Sequence, residues 1–163
     1  MAWFAQRRID WLEWSAAALR RAAQLYGGAA NGPAHLATGL EGETAGFFYL
    51  RRKGYTVVAR RWSSGLQRGD VDLIAWQNEL LCFIEVKTRT AHDLVAAEVA
   101  VDSNKRNTLR KLARAYMRQL PGSQMPAARF DILSVYLVPG QPKELVHFEA
   151  AFVWSDAQEF VLR

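Results

Sequence analysis

The stretch GDVDLIAWQNELLCFIEVKTR, residues 69–89, constrains this chain more than any other. It reads as two β-strands around a tight connection, apolar except for acids at fixed places and a basic end at Lys87 and Arg89. Strand side chains alternate faces, so Asp70, Asp72 and Ile74 share one face, as do Phe83, Glu85 and Lys87. An acid inside a half-buried strand is costly unless it is paired or binds a metal. Directly opposed residues of an antiparallel pair lie on the same face. Two registers therefore bring the acids together. One turns at Gln77-Asn78 and sets Asp72 opposite Phe83. The other uses a four-residue turn over 77–80 and sets Asp72 opposite Glu85. A slip of one residue flips a strand and separates the carboxylates, unless a β-bulge restores them. The expectation is one of the two converging registers, or a bulge.

The remaining sequence bounds what such a hairpin sits in. A chain of 163 residues forms one domain with a proper core. Half its residues are hydrophobic and six are tryptophan, which excludes a disordered chain. Its one cysteine, Cys82, excludes an internal disulfide and, lying beside Phe83 and Ile84, reads as a buried thiol in a reducing, cytoplasmic compartment. One Cys and three scattered His argue against a Cys/His zinc site. No apolar run is long enough to span a membrane, and arginines interrupt any signal-peptide core. The net charge of +5 favours an anionic partner, nucleic acid ahead of an anionic membrane.

In chain order, 1–26 is a predicted helix with Ile9, Leu12, Ala16, Leu19, Ala23 and Tyr26 on one face. It packs on the domain or a second subunit; its less favoured role is contact with a membrane surface. Residues 27–33, GGAANGP, form a linker. A second helix is predicted over 39–53, with Thr38 and Glu41 as a capping box and Gly54 as its left-handed stop. Glu43, Phe47 and Leu50 fall on its core-facing stripe. Strand one covers 55–62, with Val57 and Val58 buried. After a loose crossover over 94–101, Asp102 or Ser103 caps a long helix that stops at Pro121-Gly122. Leu109, Leu112, Ala113, Tyr116 and Leu120 form its buried stripe. Arg106, Arg110, Arg114 and Arg118 recur every fourth residue opposite, joined by Lys105 and Lys111. A solvated face normally mixes signs, so this one-sign ladder points to phosphate contact, with plain solvation as the alternative. Strands follow over 129–138 and 145–152. Asp131 is expected near a sheet end, salt-bridged or solvated, and His147 half-buried. His35 and His92 are expected in loops.

Asp72, twelve residues, Glu85, one residue, Lys87: this spacing resembles the D…E-x-K signature of restriction-endonuclease-like (PD-(D/E)xK) nucleases. With GLEGETAGFFYLRRKGY upstream, the chain resembles the YraN family of small bacterial proteins, themselves similar to Holliday-junction resolvases. Asp70 stands where that family usually has Glu, which keeps the charge. The resemblance runs over about 38–154. The organisation is thus an extension over 1–37, a nuclease-like domain over 38–154 and a tail over 155–163. The implied fold is α/β: a restriction-endonuclease-like mixed sheet of about five strands flanked by helices, with an extra N-terminal helix. Similarity to the resolvases, which act as dimers, makes a homodimer a candidate assembly and no more.

Phosphodiester hydrolysis needs an attacking water and a stabiliser for charge on the phosphoryl oxygens, and Mg²⁺, or Mn²⁺ in its place, supplies both. Asp72 and Glu85 are the candidate ligands, and Lys87 orients the water or offsets charge. The resemblance adds the Val86 carbonyl and Glu43 to the metal set. Arg89 and Arg68 are placed to hold flanking phosphates. The expected function is a metal-dependent endonuclease acting on DNA ahead of RNA, with branched or junction DNA as the implied form. The alternatives are a non-catalytic nucleic-acid-binding or assembly protein that keeps the fold, and a purely structural Lys–Asp–Glu cluster.

Overall fold

The structure, a computed structural model, describes residues 34–91, 101–122 and 124–154. The predicted N-terminal helix, the linker, most of the crossover, His92 and the tail lie outside these residues. Among the described residues the elements run α1 (Ala34–Arg52), β1 (Thr56–Trp62), β2 (Val71–Gln77), β3 (Leu80–Arg89), α2 (Ser103–Met117), β4 (Ala128–Tyr136) and β5 (Glu144–Phe152).

The five strands make one sheet in chain order, β1 to β5. All neighbours are antiparallel except β3 and β4, which are parallel. A parallel neighbour requires a crossover, and α2 lies on it. Leu109, Leu112, Ala113 and Met117 of α2 pack against Phe83, Phe130, Ile132 and Phe152 on one face. Ala45 and Leu50 of α1 pack against Leu73, Ala75, Cys82, Ile84, Leu133 and Val135 on the other. The central strands are covered on both sides, which is why β3 and β4 read as apolar runs rather than alternating ones. This is the α/β arrangement of a restriction-endonuclease-like domain.

Two glycines set how closely α1 lies on the sheet. A Cβ at Gly42 would collide with the Thr88 side chain, and one at Gly46 would stand 2.8 Å from Leu133 Cδ2. The helix ends in a Schellman motif. Tyr55 N–H donates to Leu50 O at 3.0 Å and Gly54 N–H to Arg51 O at 3.2 Å, with Gly54 at φ 86.

Several local expectations are corrected. The helix begins at Ala34, so Thr38 sits inside it, the predicted capping box does not form and His35 is helical rather than in a loop. Ala34, Leu36 and Ala37 are good helix formers and extend it backwards. Glu41 instead meets Lys143 at 3.6 Å. Val58 is 45% exposed because β1 bulges between Val57 and Ala59. Asp131 is not at a sheet end: it is fully buried. Its Oδ2 accepts from Arg129 Nε at 3.2 Å and lies 3.0 Å from His147 Nε2, and Arg129 Nε stands 2.9 Å from Oδ1 as an ion pair. It also accepts the Ala150 N–H at 3.0 Å. These partners are what make a buried carboxylate tolerable. Cys82 is buried, as expected.

Candidate functional site

The β2–β3 ladder runs from Gln77 opposite Leu80 to Leu73 opposite Ile84. One further step in that register sets Asp72 opposite Glu85, so the carboxylates do converge. The turn is shorter than expected for this register. Gln77 and Leu80 are themselves paired, leaving Asn78 and Glu79, and Asn78 takes φ 54. Asn tolerates that left-handed backbone better than most residues. Beyond Leu73 the Asp72 side chain reaches across to β3, where Oδ2 accepts the Val86 N–H at 2.7 Å.

Glu85 is almost fully buried and carries a cation on each oxygen. Lys87 Nζ donates to Oε1 at 2.9 Å. Lys105 Nζ stands 3.0 Å from Oε2 as an ion pair. Glu43 arrives from α1, on the other face of the sheet from α2, yet it lines the same open cleft of about 410 Å³ as Asp72, Glu85 and Val86. Its Oε2 is buried without a hydrogen-bond donor in reach. The nearby Arg61 Nε is 3.8 Å from Glu43 Oε2 and 3.7 Å from Asp70 Oδ2. Arg61 holds φ 48, a left-handed backbone uncommon for a residue other than glycine.

The crowding is visible in the acidities. Burial, then the Glu85 charge, pushes Asp72 from 3.8 up to about 7, against the pull of the Val86 N–H and Lys105. Burial likewise raises Glu43, with Arg61 and Arg60 opposing and Asp70 and Glu85 adding to the rise. Burial alone would lower the Lys105 ammonium. Glu85, with Asp72 and Asp70 behind it, instead holds it above its usual value.

These residues suit a hard divalent cation of the Mg²⁺ kind. The donors are carboxylate oxygens that repel one another, and one of them, Glu43 Oε2, is buried with no hydrogen bond. Among the described residues no three His, Cys, Asp or Glu side chains cage a metal by themselves.

The basic residues sort differently from the expectation. Arg68 is exposed in the loop before Asp70, and Arg89 is half-buried at the end of β3. Arg114 on α2 and Arg118 at its C-cap are exposed. Arg110 is not on a solvated face: it is only 3% exposed. Its Nε donates to Val153 O and its Nη1 to Asn107 Oδ1, each at 2.9 Å. Arg106 is partly turned inward too, donating to Val101 O at 2.9 Å. Both guanidiniums lie over the Phe152 ring, at 5.9 Å for Arg106 and 5.6 Å for Arg110. Lys105 leaves the ladder altogether for Glu85. Sequence reasoning missed that placement, although a lysine in the first turn of a helix, against the macrodipole, was the available signal.

The family described as uncharacterised protein family UPF0102 matches residues 42–135, a span that holds Glu43, Asp72, Glu85, Lys87 and Lys105. A UPF0102 protein of Koribacter versatilis is 46% identical over 123 residues, covering 76% of this chain and 84% of its own length. A UPF0102 protein of Solibacter usitatus is 45% identical over 96 residues, 59% of this chain and 72% of that protein. One of Porphyromonas gingivalis is 39% identical over 119 residues, covering 72% and 85%. With that match spanning more than half of its length, this chain belongs to the UPF0102 (YraN) family.

Proposed function

We propose that this protein is a metal-dependent endonuclease that hydrolyses phosphodiester bonds in DNA, with branched or junction DNA as the form the family resemblance favours. The observation that carries this reading is the meeting of Asp72, Glu85 and Lys87 at the open end of the β2–β3 hairpin, with Glu43 entering the same cleft from α1. Mg²⁺ or Mn²⁺, held by Asp72, Glu85 and the Val86 carbonyl with Glu43 directly or through water, would activate the attacking water and offset charge on the phosphoryl oxygens. Lys87, tied to Glu85 Oε1, holds an ammonium at the edge of that cleft, where it orients the water or meets developing negative charge. Arg68, Arg89, Arg114 and Arg118 hold flanking phosphates.

Alanine at Asp72, Glu85 or Lys87 should abolish Mg²⁺-dependent cleavage of junction and duplex DNA while leaving a folded protein that still binds DNA. Wild-type protein that binds DNA yet cleaves no form of it with either metal would instead mark a non-catalytic binding or assembly protein on the same fold.

A further inference from the structure

Lys105 sits where helix rules disfavour it. Asp102 caps α2 and its side chain accepts the Lys105 N–H at 2.8 Å. Lys105 is therefore the third residue of the helix, the place where a capping box has Glu or Gln and where the macrodipole repels a cation. No acid occupies that first turn to compensate. The ammonium instead spans to the sheet and meets Glu85 Oε2 at 3.0 Å, with the Lys105 side chain 28% exposed and that of Glu85 only 4%. Glu85 already has Lys87 on its other oxygen. One carboxylate thus holds two ammonium groups, one more than charge balance on Glu85 requires, and the second faces Asp72 as well.

The two lysines differ in how firmly they are held. Lys87 is on the same strand as Glu85, two residues on, and makes an aligned hydrogen bond. Lys105 comes from another element, at the end of a flexible four-carbon stem, and meets Oε2 as an ion pair at 3.0 Å. A divalent cation bonded to Oε2 would lie about 2 Å from that oxygen and repel the ammonium strongly.

We propose that Lys105 is an internal counter-ion of the site: it holds Glu85 Oε2 until a divalent cation takes that oxygen, and its freed ammonium then engages a phosphate oxygen of the nucleic acid. This rests on the metal-dependent reading above. It makes Lys105 a competitor of the metal in the free protein and a substrate contact in the loaded one.

The two roles predict opposite effects of one substitution. Calorimetric titration of the full chain with Mg²⁺ and Mn²⁺, without nucleic acid, should show Lys105→Gln binding metal about tenfold more tightly, the scale of one partly buried charge pair. Its cleavage rate at saturating metal should fall. Lys105→Arg, which keeps the charge, should bind metal close to wild type. In the wild-type protein the Lys105 ¹³Cε resonance should move as Mg²⁺ is added and saturate with the binding isotherm, a readout that needs no variant to fold. A folded Lys105→Gln whose metal affinity is unchanged or weaker, or a Lys105 resonance that Mg²⁺ does not move, overturns the inference. If the wild type binds metal and Asp72→Ala does not, that failure leaves the proposed function standing. If no protein in the series binds metal, the metal reading falls, and this inference with it.

Discussion

Asp72→Asn should make the metal-free protein more stable at pH 8, although it alters a half-buried side chain at the centre of the site. In the unfolded chain Asp72 loses its proton near 3.8, and in the fold near 7. The folded acidity is weakened, so Asp72 favours the fold when protonated. That contribution is complete below about pH 4 and is lost as the pH rises through about 7. At pH 8 the ionised carboxylate then costs on the order of 4 kcal/mol at most, and roughly 2–4 kcal/mol once the strong interaction with Glu85 is allowed for. Asparagine removes the charge and keeps an oxygen to accept the Val86 N–H. Urea denaturation of the full chain in EDTA should show Asp72→Asn ahead of wild type by that amount at pH 8 and close to it near pH 4. Saturating Mg²⁺ should stabilise the wild type at pH 8 by mass action and leave the variant nearly unmoved. A variant less stable than wild type at pH 8, or offset equally at both pH values, would refute the reasoning and make Asp72 a structural ion-pair partner.

Two other perturbations separate positioning from binding. Gly42→Ala drives a methyl group into Thr88 and should lift α1, destabilising the protein by about 1–3 kcal/mol. Because Glu43 is the next residue, cleavage should fall further than the melting temperature alone explains. On α2, Arg110→Ala should cost about 2 kcal/mol or more in urea denaturation, since it strips two hydrogen bonds from the buried packing. It should leave the salt dependence of DNA binding unchanged. Replacing Arg114 and Arg118 together by Gln should flatten the slope of log K against log salt by about 1.8, at about 0.9 per phosphate contact, with little change in stability.

The hairpin was legible because alternation admits few registers, and burial of one face chooses among them. The turn was less so. A left-handed Asn78 lets the ladder run to Gln77 and Leu80, and a local torsion of that kind leaves little trace in hydrophobic pattern. The arginine ladder misled for a geometric reason. Each four-residue step turns the helix about 40°, so Arg106 to Arg118 winds through about 120° rather than along one face. What covers the inner part of that spiral is Phe152 and Val153, some forty residues further on, which periodicity within the helix does not reveal. Lys105 and Glu85 are likewise brought together by a crossover, and not by spacing. Glu43 was suggested by its motif, whereas its passage over the sheet to the other carboxylates depends on the close seating of α1 at Gly42 and Gly46.

Both outer strands of the sheet carry an irregularity, β1 between Val57 and Ala59 and β5 between Phe148 and Phe152. Strand β1 carries the extra residue Val58 and a left-handed Arg61. Strand β5 slips register between its pairs with Phe130 and Ile132, at a left-handed Ala150 whose N–H is turned onto Asp131. An intact outer strand is a template on which another chain can lay its own backbone. Here neither rim offers an unbroken row of amides and carbonyls to a sixth strand. Among the described residues the sheet has five strands, and its capacity to grow into an aggregate is curtailed by the same bends that set Arg61 near Glu43 and turn the Ala150 N–H onto Asp131.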